Sequence, residues 1–292
     1  MTAHRCMSVA WALMLLAGLA LSTLSCAVEQ ERTGKIGVTV TVPPQAEFVE
    51  SVGGEMVEVA VMVPPGADPH TYAATPSQLA ALSRSRMYAK VGTPIEFELT
   101  YMDKIAAVNR AMLVVDCSKG MGLDGPNSEE AGMEPHIWTS PLNAKLMVRN
   151  ICDGLVQIDP ANRVYYEQNR DNYLQKLDAL GSETGDKLAD LRERAFIVYH
   201  PAWGYFARDY DLEQISIEVE GKEPSAQDIS RIIEEARARS IRVVFASPQF
   251  DPRMPQVVAH EIGGTVEFID DLAPDYIDNM RAVVNRLAQA MK

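Results

Sequence analysis

Short apolar runs alternate with amphipathic stretches along this chain, and that alternation predicts an α/β fold. Residues 35–40 and 57–63 are rich in β-branched side chains, and residues 45–52 between them can form a helix. A strand-helix-strand unit requires parallel pairing. Residues 86–91 and 112–115 read as further strands. Thr75-Pro76-Ser77-Gln78 has the pattern of a capping box with proline at the first helical position, so a helix should begin there. Ser140-Pro141 can start another, through Gln157, with Leu142, Leu146, Ile151 and Leu155 as its candidate buried face.

After Asp159-Pro160 no strong breaker occurs until about Arg194 apart from Gly181 and Gly185, and Tyr173, Leu177, Leu180, Leu188 and Leu191 recur with a helical period. A helix across much of 161–193 would reach ~45–50 Å at 1.5 Å per residue. The strand and helix grammar then resumes. Strands are expected over 195–199, 214–218, 241–246 and 265–269, with helices from Ser225 to about Arg239 and over 255–263. His260 falls on the last of these helices as a surface residue, and Asp275 reads as a cap before Tyr276.

The N-terminus changes the picture of where the chain works. Arg5 precedes an apolar run over 9–21, followed by Ser22, Thr23, Ser25 and Cys26, which reads as an export signal over 1–25. The run is shorter than the ~20 residues of a membrane span. Leu24-Ser25-Cys26 looks like a lipoprotein cleavage site with lipid on Cys26, and the polar residues 26–34 would form a tether. The remainder of the 292 residues suffices for two modest lobes. A formal charge of −13 argues against nucleic acid as a partner. Cys117 and Cys152 have no C-x-x-C neighbour and read as buried thiols, with pairing between them left open.

Three of the five histidines sit in proline-punctuated phrases: Asp68-Pro69-His70-Thr71-Tyr72, Glu134-Pro135-His136-Ile137-Trp138 and Tyr199-His200-Pro201-Ala202-Trp203. Each lies where a predicted strand or turn gives way to the next element, the place where open α/β sheets put ligand groups. A fourth phrase, Ile269-Asp270-Asp271-Leu272, supplies carboxylates. Imidazole nitrogen and carboxylate oxygen suit borderline divalent metals, and four such donors would leave zinc no open position for catalysis. The set points to metal capture. A zinc hydrolase is the rival class, with Glu134, Glu218 and Glu220 as its possible bases, although no H-E-x-x-H phrase occurs.

These phrases resemble those of the zinc and manganese substrate-binding proteins of ABC transporters, from about Lys35 to the C-terminus. The likeness includes Thr75-Pro76, Ser140-Pro141, Gly204-Tyr205-Phe206, Gly221-Lys222-Glu223-Pro224-Ser225, Pro248-Gln249-Phe250 and Asp275-Tyr276 with Asn279-Met280. The resemblance implies two lobes, 35–158 and 195–292, each a mostly parallel sheet flanked by helices, joined by one long backbone helix within 159–194. It implies His70, His136, His200 and Asp270 as metal ligands, with Asp271 as the competitor for the last position. Three histidines make Zn2+ the expected cargo, with Mn2+ the alternative, because glutamate at the position of His200 goes more often with the harder ion. The histidine-rich loop of many zinc relatives is missing, and residues 119–133 offer only Asp124, Glu129 and Glu130. The implied protein is a non-enzymatic, monomeric receptor on the outer face of the cytoplasmic membrane, or periplasmic or secreted. It would deliver metal to a permease driven by a cytoplasmic ATPase. A surface adhesin role is a third expectation that the fold allows.

Overall fold

Nearly unbroken burial along Ile36–Val40 (β1) marks it as an inner strand of a parallel sheet, whose two faces are both covered. A computed structural model describes residues 34–122, 134–218 and 223–292. The leader, the Cys26 site, most of the tether, and Asp124, Glu129, Glu130 and Glu220 lie outside those residues. Val57–Val61 (β2), Met87–Lys90 (β3) and Leu113–Asp116 (β4) complete the first sheet, in the order β2-β1-β3-β4 with every pair parallel. Pro44–Gly53 (α1) crosses between β1 and β2 as expected. Pro76–Ala81 (α2) starts at a complete capping box formed by Thr75 and Gln78.

Two elements of this half depart from the sequence pattern. Glu96–Val108 (α3) went unpredicted because its buried positions, Phe97, Glu98 and Ile105, include a carboxylate that breaks the apolar stripe. Pro141–Ile158 (α4) begins at the Ser140 cap, but Leu142 is 52% exposed and Leu146 only partly buried. Ala144, Met147, Val148, Ile151 and Leu155 form the inner face. Gly154 lies in it where the helix comes so close to the sheet that a Cβ would stand 2.4 Å from Val115 Cγ2.

The second sheet repeats the first. Ala195–Val198 (β5), Glu213–Ser216 (β6), Val243–Ala246 (β7) and Thr265–Phe268 (β8) are all parallel in the order β6-β5-β7-β8. Between the sheets in sequence runs Arg163–Leu188 (α5), 26 residues or about 39 Å long, after a 3-10 turn at Pro160–Asn162. It is shorter than the pattern suggested. Gly181 and Gly185 do not interrupt it, because Leu180, Thr184 and Leu188 pack inward around them and offset the ~1 kcal/mol each glycine costs. Gly204–Asp209 (α6), Ala226–Ala238 (α7), Arg253–Glu261 (α8) and Tyr276–Ala290 (α9) complete the chain. Ser225 and Asp228 close a second capping box on α7, and Asp275 precedes α9 without a side-chain cap bond.

Alternation along the strands divides the interior. Val38, Val40, Met87 and Ala89 of the first sheet and Phe196 and Val198 of the second join one continuous core with α1, α4, α5 and α9. Tyr88 faces a separate cluster on the far side of the first sheet, and Ala195 and Ile197 face another behind the second. Phe48 of α1 meets Tyr276 of α9 edge-on at 4.9 Å, so the shared core spans both lobes. Cys117 and Cys152 are buried free thiols. Among the described residues no helix is long and apolar enough to cross a membrane.

Candidate metal centre

The strand order of each sheet reverses at its middle pair, β1/β3 and β5/β7, and ligands of open parallel sheets sit beyond the carboxyl ends of the strands. His70 follows β2, His136 follows β4, His200 follows β5, Gln249 follows β7, and Asp270 and Asp271 follow β8. The loops thus bring side chains from both sheets to one place.

Each histidine is held by its own local chemistry. Asp68 accepts the His70 backbone N–H at 2.9 Å and the Thr71 hydroxyl at 2.9 Å, which fixes the turn ahead of α2. His70 Nδ1 meets Glu96 Oε2 at 2.5 Å. Glu96 opens α3, and that end of the helix is anchored by buried Glu98, which accepts N–H bonds from Val91 and Gly92 and the Thr41 hydroxyl proton. His136 is 2% exposed and leads into a 3-10 turn, Ile137–Thr139, before the Ser140 cap of α4. Thr139 Oγ1 donates to the carbonyls of His136 and Ala202, joining the two lobes beside it. His200 Nδ1 meets Glu218 Oε2 at 2.6 Å, and its ring packs tilted against Phe250 with centroids 4.7 Å apart.

The three imidazoles converge. His136 Nε2 lies 3.0 Å from His70 Nε2 and 3.0 Å from His200 Nε2, and the candidate ligand atoms of the three residues all lie within 4.8 Å of one another. A tetrahedral ion with Zn–N bonds of ~2.0–2.1 Å needs nitrogens about 3.3 Å apart, a few tenths of an ångström from what is present. Carboxylates on Nδ1 of His70 and His200 leave Nε2 of each ring facing the cluster, the arrangement by which second partners usually orient a metal-binding histidine. His136 Nδ1 is buried without a hydrogen-bond partner among the described residues, with Glu134 Oε1 at 3.8 Å engaged by the Gly204 N–H.

The carboxylates of the fourth phrase part company. Asp270, the expected ligand, points its Oδ1 at Gln249 Nε2, 2.7 Å, and the Leu272 N–H, 2.9 Å. Asp271 instead borders the cavity shared by His70, His200, Gln249 and Phe250, is 6% exposed, and keeps a buried Oδ1 with no partner among the described residues. Asp271 thus borders the cavity of the histidines, while Asp270 Oδ1 is engaged by Gln249 and the Leu272 N–H. Trp138 Nε1 donates to the Asp271 carbonyl at 2.7 Å, so one lobe carries the other's carboxylate loop.

Burial sets the electrostatics. It drives the His136 imidazole well below its ordinary value, helped by the neighbouring His200 and His70. Burial also opposes charge on His200, yet the Glu218 hydrogen bond and the nearby Asp271 carboxylate leave it raised overall. Burial raises Asp271 against the pull of His200, and lifts Glu134 to about 7 against the Gly204 hydrogen bond. Three clustered imidazoles beside a buried carboxylate make a donor set that suits a divalent cation.

Glu96, Glu218 and Trp138 were not singled out from sequence for these roles. Glu96 and Glu218 reach their histidines across 26 and 18 residues, so only their places just after β3 and β6 hinted at the site. His260, expected at the surface, is 88% exposed at its side chain.

Comparison with known proteins agrees with this geometry. The family described as "Zinc-uptake complex component A periplasmic" matches residues 38–290. The high-affinity zinc uptake system protein ZnuA of Bacillus subtilis is 28% identical over 254 residues, 82% of this chain and 79% of that protein. A crystal structure of ZnuA is 41% identical with a TM-score of 0.85, covering 88% of this chain and 100% of that one. A ZnuA deletion mutant with zinc bound is 42% identical with a TM-score of 0.84, covering 88% of this chain and 98% of that one. With a match over almost all of the described residues and solved relatives of the same fold above 40% identity, the chain belongs to the zinc-uptake complex component A family.

Proposed function

We propose that this chain is the extracytoplasmic receptor of an ABC-type importer, capturing Zn2+ between its two lobes and passing it to the membrane permease. The observation that carries this reading is the convergence of His70, His136 and His200 from loops of both sheets, with Asp271 beside them. His70, His136, His200 and Asp271 are the four ligands, Asp271 taking the place expected for Asp270. Residues 35–158 and 195–292 are the two metal-binding lobes, with the long helix in 159–194 between them. Four protein ligands close the coordination sphere, so cargo is held and no water is activated, as befits a family of transport proteins and not of enzymes.

Capture makes zinc affinity depend on pH in a definite direction. All three imidazoles must be neutral to bind, and His200 is raised, so its proton competes first as the pH falls. Affinity should be full above the raised His200 value and fall steadily through the imidazole range below it. In the metal-free chain the same raised group adds stability below ~6.5 that is lost as pH rises through its folded value. Depressed His136 acts oppositely, its contribution being lost as pH falls below ~6.5. The difference in melting temperature between zinc-loaded and metal-free protein isolates the metal effect. That difference should shrink between pH 7 and pH 5, and a constant difference down to pH 4 would contradict histidine coordination.

Cys26, outside the described residues, would carry lipid after cleavage of residues 1–25, and 26–34 would span from membrane to lobes. Cys26→Ser should release the protein from membranes, or leave its leader uncleaved, with zinc binding retained. Membrane fractionation and mass spectrometry of the N-terminus check this. Full-length protein with an intact leader in the cytoplasm would sink the extracytoplasmic assignment.

A further inference from the structure

One loop at the cavity has no part in the four-ligand site, and it carries an oxygen without a partner. Gln249 follows β7 and borders the same cavity as His70, His200 and Asp271. Its amide orientation is decided by Asp270. An amide NH2 donates to a carboxylate whereas an amide oxygen is repelled by one, so the 2.7 Å contact with Asp270 Oδ1 belongs to Nε2. Asp270 is itself pinned, its Oδ1 accepting the Leu272 N–H at 2.9 Å and its carbonyl accepting from Asn279 Nδ2 at 2.6 Å. Gln249 Oε1 is left buried, with no hydrogen-bond partner among the described residues. Phe250, the next residue, packs tilted against the His200 ring and also borders the cavity.

A buried acceptor without a donor costs about 1–3 kcal/mol, so a structure that keeps one beside a cation site invites a ligand to satisfy it. We infer that Gln249 offers its carboxamide oxygen as a neutral fifth donor to a captured ion that takes more than four ligands, with Asp270 as the positioning residue that holds the amide. The inference rests on the capture reading above. Three nitrogens and the Asp271 carboxylate already meet zinc's usual four, and zinc loses little with a fifth donor removed. Manganese prefers oxygen donors and more of them. Gln249 therefore makes the site more accommodating to the harder ion.

The test is titration calorimetry of the whole mature chain with Zn2+ and with Mn2+, for wild type, Gln249→Leu and Asp270→Asn. Gln249→Leu keeps the side chain's bulk without its oxygen, and Asp270→Asn removes the charge that orients the amide. The expected result is a manganese affinity lowered about tenfold or more in Gln249→Leu while zinc affinity changes by less than about threefold. Asp270→Asn should move the zinc-to-manganese ratio the same way by a smaller amount, which a merely structural role would leave unchanged. A ratio equal to wild type in both variants would overturn the inference. Should Gln249→Leu fail to fold, the ratio in Asp270→Asn decides alone. Wild-type protein that binds no zinc would overturn the capture reading instead.

Discussion

Replacing His136 with alanine is expected to lower zinc affinity by about two to three orders of magnitude. His136 stands between the other two, its Nε2 at 3.0 Å from each, so its loss opens the centre of the site. A structural zinc site with four ligands binds with ~10–16 kcal/mol, and one quarter of that is ~2.5–4 kcal/mol. The metal-free fold should hardly notice. Alanine removes a buried imidazole whose Nδ1 has no partner among the described residues, which offsets most of the cost of the cavity left behind. Titration calorimetry paired with thermal melting of the metal-free variant separates the two effects. His70→Ala and His200→Ala should weaken zinc similarly, and Asp271→Ala more than Asp270→Ala. A His136→Ala affinity within tenfold of wild type would mean that the metal sits elsewhere.

The second large effect falls on stability. Trp138→Ala should destabilise the protein by ~3–5 kcal/mol, the usual cost of emptying a fully buried tryptophan site. Trp138 is 0% exposed, packs edge-on against His136 at 5.3 Å, and donates Nε1–H to the Asp271 carbonyl of the other lobe. Its removal leaves that carbonyl unpaired and loosens two proposed ligands together. With domains of this size shifting about 2–4 °C per kcal/mol, melting of the metal-free protein should fall by roughly 10 °C. Zinc affinity should fall too. Trp138→Phe, which fills much of the volume without the N–H, should lose only part of both. An unchanged melting temperature in Trp138→Ala would refute the role of this side chain in joining the lobes.

Much of this was legible in the chain because it is written in local chemistry. Thr75 with Gln78, Ser140 with Pro141, and Ser225 mark helix starts within a few residues of sequence, and all three caps formed. Strand positions followed β-branched runs, and the order of strands and helices dictated parallel pairing. The histidines were recognisable because each ends a strand or loop just before a constrained element.

What the chain hid was set by contacts distant in sequence or by the phase of one residue. Leu142 shows the latter, since a shift of 100° per residue moves a side chain from core to solvent. Asp270 and Asp271 show it again, for likeness to relatives fixes a loop but not which of two adjacent carboxylates turns inward. In the structure Gln249 and the Leu272 N–H engage Asp270 Oδ1, while Asp271 borders the cavity of the histidines. Helix α3 escaped notice because Glu98 is buried to serve the Val91 and Gly92 amides, a tertiary need that defeats the amphipathic pattern. The ends of α5 moved inward from 161–193 because Pro160–Asn162 forms a 3-10 turn and the chain after Leu188 bends toward β5.

The most direct test of zinc capture by the two lobes is the zinc X-ray absorption spectrum of protein loaded with one equivalent of the metal. The account predicts three imidazole nitrogens at ~2.0–2.1 Å with oxygen completing the shell, and loss of imidazole scattering in the His70, His136 and His200 variants. A shell containing sulfur at ~2.3 Å, or one without the imidazole pattern, would contradict it.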